Sequence, residues 1–217
     1  MNNSAGLNPI SVAAYSGSAN ILQYLKTEAK TRNNFNLATL KHLVDNNGNM
    51  LLHAAVDSGS LETVQVCLEV GCEIDARTMD QSTAVHFAAT RGQLEMLQAM
   101  FCAQPERIRS ALLATDVNGM SALHKSVFYD SAKVTEFLLS HGAEIDLCDL
   151  RDETPLLLAA SKGSFDCARL LLRRLANVNC VDKNGRNAMH LAILNNGNFV
   201  RFIEDDYVIQ VSWGKKT

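Results

Sequence analysis

The sequence predicts an all-α solenoid of about six stacked helix-turn-helix units, the last of which is incomplete. One observation behind this prediction is a short string of similar residues that recurs about every 33 positions in the 217-residue chain. The other is the arrangement of helix caps and glycines that follows each copy of the string. A period of this length is typical of linear arrays in which each unit contacts only its neighbours.

The repeated string contains a histidine in most of its copies. It occurs as Leu52-His53-Ala54-Ala55, Val85-His86-Phe87-Ala88, Leu123-His124-Lys125-Ser126 and Met189-His190-Leu191-Ala192. The histidines are spaced by 33, 38 and 66 residues, so one repeat carries a five-residue insertion and one repeat lacks its histidine. That repeat starts at Thr154, with Leu157 in place of histidine, and a weaker copy opens at Asn8.

The residues around each string predict two helices per repeat. The string is preceded by side chains that can cap a helix, namely Asn8, Thr83, Ser121, Thr154 and Asn187. Nine residues after the starts at Asn8, Thr83 and Thr154, and after the equivalent Met50, a glycine allows a tight turn into a second helix at Gly17, Gly92, Gly163 and Gly59. Gly71 and Gly142 can end the second helix in the left-handed conformation. The turns that close the units contain Asp45-x-x-Gly48, Asp116-x-x-Gly119 and Asp182-x-x-Gly185.

Two positions depart from this pattern. Leu175 stands where the loop glycine belongs, and a left-handed conformation there would cost about 1–2 kcal/mol. Asp130 replaces the glycine between the helices of the fourth repeat, which is a milder change because aspartate tolerates that conformation. We expect either an altered loop or a loss of stability at Leu175.

The same spacing divides the chain into segments. We predict an N-terminal tail at 1–7, a degenerate first repeat at 8–25 and a linker with a short helix at 26–44. Repeats two to six follow at 45–198, and a non-repeat tail occupies 199–217, where Glu204 and Asp205 replace the apolar residues of a second helix.

The 33-residue period with Thr-Pro-Leu-His-x-Ala-Ala resembles the ankyrin repeat, in which such units are joined by β-hairpin-like turns. Several strings are further similar to the cytosolic ankyrin region of transient receptor potential ankyrin-type (TRPA) cation channels. They include Gln81-Ser82-Thr83-Ala84-Val85-His86, Gln104-Pro105 at the insertion, Asp116-Val117-Asn118-Gly119-Met120 and Gly185-Arg186-Asn187-Ala188-Met189-His190.

This resemblance implies the cytosolic part of a homotetrameric, calcium-permeable sensory channel of the plasma membrane. It implies no conduction by this chain, because the family's membrane helices and pore are missing from it, so we expect a fragment or a truncated isoform. The alternative is a free-standing cytoplasmic ankyrin adaptor that binds a protein partner. In either case the predicted contact residues are those at the hairpin tips, Asn47, Asn118 and Asn184.

The histidine row has a structural interpretation. Residues one repeat apart form a row and do not converge on one metal ion, as a zinc site would require. The ankyrin resemblance implies that His53, His86, His124 and His190 hydrogen-bond the turns and tie neighbouring repeats. Leu157 indicates that a repeat can form without this histidine.

Composition and motifs exclude other classes of function. Charge is nearly balanced, with 20 Lys and Arg against 23 Asp and Glu, so the electrostatic footprint of nucleic-acid binding is missing. No apolar run reaches the ~18–20 residues of a membrane helix. No catalytic, phosphate-binding or metal-binding motif is found, which predicts a non-enzymatic protein without cofactor or metal. We interpret the cysteines as thiols, with Cys67 and Cys167 facing the core and Cys102, Cys148 and Cys180 at helix ends or in linkers.

Overall fold

The computed structural model describes residues 9–31 and 45–194, and every regular element within them is a helix. Twelve α-helices are described: α1 Pro9–Tyr15, α2 Ala19–Thr31, α3 Leu51–Ser58, α4 Leu61–Glu69, α5 Ala84–Thr90, α6 Leu94–Ala103, α7 Ile108–Leu113, α8 Ala122–Phe128, α9 Ala132–Ser140, α10 Pro155–Lys162, α11 Phe165–Arg173 and α12 Ala188–Leu194. A 3₁₀-helix, Pro105–Arg107, lies between α6 and α7. Among these helices, none combines the length and the apolar character that crossing a bilayer requires.

Three predictions lie outside the described residues. They are the tail at 1–7, the short helix expected before Asp45, and the tail at 199–217 together with the end of the sixth repeat.

The described residues fall into two compact units. The first takes the residues up to Ala88 together with Gln93–Val117, and the second takes Ala89–Gly92 together with the residues from Asn118 on. The boundary between the units falls within α5, whose last two residues, Ala89 and Thr90, belong to the second unit.

The first unit stacks its helices in two rows. In one row α3 packs on α1, and in the other α4 packs on α2 and on α6, while α3 and α4 contact each other as a hairpin. The side chains between the rows are fully buried, among them Leu51, Leu52, Val64, Leu97 and Met100. Each amphipathic helix thus buries its apolar face against both its partner and the next hairpin.

The second unit repeats this arrangement. Helix α10 packs between α8 and α12, and α11 packs on α9 and on α10. One core runs through these contacts and includes Val127, Leu156, Leu157, Leu158, Cys167, Leu171, Leu172, Leu191 and Ala192. Leu157, which replaces the repeat histidine, is only 1% exposed, so an apolar residue fills that position as part of the core.

The predicted caps are present at the helix N-termini of the second unit. Thr154 Oγ1 accepts a hydrogen bond from the N–H of Leu157 at 3.3 Å, and Asn187 Oδ1 accepts one from the N–H of His190 at 3.0 Å. Pro155 is the first residue of α10, where its missing N–H leaves no hydrogen bond unmade. These contacts confirm the predicted caps at Thr154 and Asn187.

The first repeat extends further than the spacing predicts. Helix α2 continues to Thr31, beyond the expected boundary at residue 25 and into the segment expected to be a linker. No glycine or proline interrupts the chain between Ala19 and Thr31, and residues such as Leu25, Lys26 and Glu28 favour helix. Lys26 pairs with Glu69 of α4, so a polar run that resembles a linker is the polar side of a packed helix.

Asp130 adopts the left-handed conformation expected of it, with φ +50°, and gives a contact that the sequence pattern did not indicate. Its Oδ1 accepts a hydrogen bond from the N–H of Cys167, in the first turn of α11, at 3.3 Å. Ser164, which precedes α11, makes no capping bond with its side chain. Asp130 therefore caps a helix of the next repeat, which offsets its backbone strain.

Leu175 also takes the left-handed conformation, with φ +63°, so the loop keeps its geometry and the leucine is strained. Its side chain is 77% exposed and contributes little to the core. The position is equivalent to Gly142, one repeat earlier, where φ is +91° and an added Cβ would meet no atom within 4 Å.

Replacing this leucine should stabilise the protein. Leu175→Gly relieves the left-handed strain, and we expect the free energy of unfolding to rise by about 1 kcal/mol in urea titrations. The matched reverse change, Gly142→Leu, should lower it by about 1–2 kcal/mol because it introduces the same strain in open space. Equal stability of wild type and Leu175→Gly would show that the loop relaxes around leucine without strain.

Candidate protein-interaction surface

A buried aspartate folds the turns at 45–49, 149–153 and 182–186. Asp45 Oδ1 accepts hydrogen bonds from the N–H groups of Asn47 and Asn49, at 2.8 and 2.9 Å. Asp149 and Asp182 make the same pair of bonds in the second unit. Since the carboxylate satisfies the inward-pointing N–H groups, the residue at the tip of each turn keeps its side chain outside.

Hydrogen bonding also sets the charge of this aspartate. Burial raises the pKa of the Asp45 carboxyl, but the hydrogen bonds from Asn49, Tyr15 and Asn47 outweigh it and hold that pKa below its usual value. The Tyr15 hydroxyl donates to Asp45 Oδ2 at 2.8 Å, and burial together with this bond raises the pKa of Tyr15 to about 12. Tyr15 thus ties α1 to the first turn, a role that the repeat pattern did not indicate.

Backbone hydrogen bonds link consecutive turns within each unit. In the first unit the N–H of Met79 donates to the carbonyl of Asn47 at 3.2 Å, and the N–H of Val117 donates to the carbonyl of Asp80 at 3.0 Å. In the second unit the N–H of Leu150 donates to the Asn118 carbonyl at 3.0 Å. The N–H of Lys183 similarly donates to the Arg151 carbonyl at 3.1 Å. These bonds hold neighbouring tips in a fixed register.

The predicted tip residues occupy equivalent places in this arrangement. Asn47, Asn118 and Asn184 all have exposed side chains at the same position of their turns. The tips of the other two turns are Asp80 and Arg151, which the sequence reasoning missed although they lie one repeat after Asn47 and Asn118. The tip position is therefore polar in all five described turns.

In three of the five described turns, the position before the tip carries an exposed aliphatic side chain, which the sequence pattern did not indicate. Met79 and Val117 in the first unit are 70% and 54% exposed, and Leu150 in the second unit is 61% exposed. Each unit therefore presents an aliphatic side chain next to a polar tip, a combination that suits protein contacts.

The repeat histidines lie beside these turns and bind their own repeat through Nδ1. That atom accepts the backbone N–H of Met50 in His53, of Thr83 in His86 and of Ser121 in His124, at 3.1 to 3.2 Å. His190 accepts the N–H of Asn187 at 3.3 Å and is exposed. Only a neutral ring with its proton on Nε2 can accept in this way.

One of these histidines reaches a neighbouring repeat within its unit. His124 Nε2 lies 3.1 Å from the carbonyl oxygen of Glu153 and donates to it. His53 Nε2 has no hydrogen-bond partner among the described residues, although the ring is fully buried. His124 thus makes the hydrogen bond to a neighbouring repeat that the resemblance implies for these histidines, and His53 does not.

The five-residue insertion is fastened to the loop of the preceding repeat. Gln104 Nε2 donates to the Cys72 carbonyl at 2.7 Å, and Gln104 Oε1 accepts the N–H of Ile74 at 3.1 Å. Arg107 pairs with Asp75 at 2.8 Å and with Glu73 at 3.1 Å. The sequence pattern marks Gln104 only as the start of the insertion, because its contacts depend on the tertiary structure.

The cysteines follow the predicted division. Cys67, Cys72 and Cys167 are buried, Cys102 and Cys148 are exposed, and Cys180 is intermediate. Burial and the carboxylates of Asp152, Asp149 and Asp146 raise the pKa of the Cys148 thiol, which disfavours the reactive thiolate. Within the described ranges, no group of three or more histidine, cysteine or acidic side chains is placed to hold a metal ion.

The geometry defines a repeat-built interaction module, with rigid turns that present polar and aliphatic side chains. The sequence pattern of the family described as "Ankyrin repeats (3 copies)" matches residues 1–78, 52–149 and 141–210. The chain belongs to the ankyrin-repeat family, and the predicted all-α ankyrin solenoid is confirmed.

The chain is also similar to particular proteins of known name. It is 36% identical over 160 residues to the transient receptor potential cation channel subfamily A member 1 of Drosophila melanogaster, covering 74% of this chain and 13% of that channel. It is 32% identical over 192 residues to the human channel of the same name, covering 88% of this chain and 17% of the channel. These similarities confirm the resemblance to TRPA channels, of which the chain spans less than a fifth.

A third relative belongs to another class of protein. The chain is 34% identical over 149 residues to the putative palmitoyltransferase ZDHHC13 of Danio rerio, covering 66% of this chain and 22% of that protein. The repeats are therefore similar to those of proteins other than channels.

The insertion offers a direct test of how the loop at 72–75 is held. Gln104→Ala leaves the N–H of the buried Ile74 without its partner, so we expect it to lower the free energy of unfolding by about 1–3 kcal/mol in urea titrations. Arg107→Ala removes two partly exposed ion pairs and should change it by about 1 kcal/mol or less. A larger effect from Arg107→Ala than from Gln104→Ala would contradict this assignment.

Proposed function

We propose that the chain is a non-enzymatic interaction module from the cytosolic part of a TRPA-type, calcium-permeable cation channel that acts in sensory transduction. In this proposal it is a fragment or a truncated isoform, lies at the cytosolic face of the plasma membrane and contacts other subunits of a homotetramer. It does not conduct ions by itself. The observation that carries the proposal is the 36% identity to the fly channel over 74% of the chain.

The insertion supports the same proposal. The strings that resemble the channel family include Gln104-Pro105, where the insertion begins. Gln104 binds two backbone groups of the preceding loop, so a glutamine at this position attaches the inserted segment to that loop.

The messenger RNA can test membership of a channel. Sequencing the transcript 3′ of the Gly197 codon should find exons that encode further repeats and then hydrophobic membrane spans. An abundant short transcript that ends near the Thr217 codon, without a longer form, would contradict the channel proposal.

The second candidate function is a free-standing cytoplasmic adaptor that binds a protein partner. The similarity to ZDHHC13 supports this second candidate function, because comparable repeats also occur in a protein that is not named as an ion channel. The exposed tips at Asn47, Asn118 and Asn184 are its proposed contact residues. Within the channel proposal the same tips would contact another subunit.

Substitution of the tips tests their role in either setting. The triple variant Asn47→Ala, Asn118→Ala and Asn184→Ala should weaken partner capture by about tenfold or more. Folding should be kept, because the aspartate carboxylates bind the turns through backbone N–H groups. Binding is measured by quantitative pull-down from cells that express the protein, with circular dichroism to verify folding.

The matched control is Arg173→Ala, which changes an exposed residue of α11 away from the turns. It should leave partner capture unchanged. Equal loss of binding in both variants would place the contact elsewhere than at the tips.

A further inference from the structure

The side chain of His53 is buried in the first unit, and one of its ring nitrogens lacks a hydrogen-bond partner among the described residues. The residue is 0% exposed, and its Nε2 has no hydrogen-bond partner among the described residues. In the second unit the equivalent His124 donates from Nε2 to the Glu153 carbonyl at 3.1 Å. The carbonyl in the corresponding place beside His53 belongs to Ser82.

The turn beside His53 is built differently from the turn beside His124. It contains Thr78 at the position where the turn beside His124 contains Asp149. The Ser82 carbonyl accepts the N–H of Thr78 at 2.9 Å, and the Thr78 hydroxyl lies 3.2 Å from the same oxygen. The Thr78 hydroxyl also bonds Asp80 Oδ1, and its single proton goes to one of these two oxygens. Thr78 therefore folds this turn through a different set of hydrogen bonds from those of Asp149.

The other ring nitrogen of His53 is committed as an acceptor. Nδ1 lies 3.1 Å from the backbone nitrogen of Met50, at the N-terminus of α3, and an N–H group can only donate. A second proton on the ring would have to occupy Nδ1, where it would face the N–H of Met50. Protonation therefore removes this hydrogen bond and places an additional N–H against a donor.

Charged and titratable groups face the ring from the surrounding elements. Asp45 and Asp80 act on it from the turns before α3 and α5, and both favour the charged ring. The ring centroid of Phe87, in α5, lies 5.4 Å from the ring centroid of His53. On α4, the Cys67 thiol donates a hydrogen bond to the Leu51 carbonyl. The backbone of Ala76 and Ser82 also lies near the ring and favours its charged form, but neither group meets hydrogen-bond geometry with Nε2. Burial outweighs these influences and lowers the pKa of His53 to about 4.

We propose that His53 makes the first unit acid-sensitive, because proton uptake by its ring breaks the contact that caps α3 and opens this part of the stack. In an opened chain the histidine recovers a pKa of about 6.5. The closed form is thus fully favoured above about pH 6.5 and loses stability as the pH falls towards about 4. Between these values the open form binds a proton that the closed form excludes.

Hydrogen–deuterium exchange of Leu51–Ser58, corrected for the intrinsic pH dependence of exchange, measures the opening. Between pH 7.5 and pH 5 the opening constant of the wild type should rise about 30-fold more than that of His53→Leu. Leucine is a matched replacement, since Leu157 occupies the equivalent position in the fifth repeat. The control His190→Leu, which removes an exposed histidine, should behave as the wild type. The same pH dependence in His53→Leu and wild type would overturn the proposal.

A second measurement needs no variant to fold. Nitrogen-15 spectra of the wild-type chain at pH 5.5 should show His53 as a neutral ring protonated on Nε2. A doubly protonated His53 ring in the folded chain at that pH would also overturn the proposal.

Discussion

Each helical hairpin in this chain depends on its neighbours for the burial of its apolar faces. Helix α4 contacts α2 on one side and α6 on the other, and α10 lies between α8 and α12. A single hairpin would leave one of these faces in water, so no repeat is stable on its own. The hydrogen bonds between consecutive turns, such as that from Met79 to Asn47, fix the register in which the hairpins stack.

Because contacts are shared only between adjacent repeats, a departure from the pattern has local consequences. Asp130 is strained but caps the helix of the next repeat through Cys167. Leu175 is strained without a compensating contact in its exposed side chain. Thr78 folds its turn with a hydroxyl in place of a carboxylate, and His53 is left with an unsatisfied nitrogen. The stack tolerates all three because the repeats around them retain their cores.

The arrangement that holds the turns also creates the surface for binding. Carboxylates such as Asp45 and Asp182 satisfy backbone groups inside their turns, so the side chains of the tips Asn47 and Asn184 are not needed to fold those turns. Polar tips and exposed aliphatic residues such as Met79 and Leu150 can then vary with the partner. A module of this kind serves a channel subunit or an adaptor equally well, and its sequence similarity to TRPA channels favours the first.

A short period along the chain is enough to predict the repeat, the helix pairs of the first five repeats, the caps at Thr154 and Asn187 and the tip positions. The same pattern ends the first repeat at residue 25, whereas α2 continues to Thr31, because the polar face of a packed helix and a linker have similar compositions. Tertiary packing sets the contact of Gln104 with Ile74, the cap that Asp130 gives to Cys167, and the bond that His124 makes and His53 lacks. These contacts join residues 29 or more positions apart, and their presence depends on distances that no local pattern encodes.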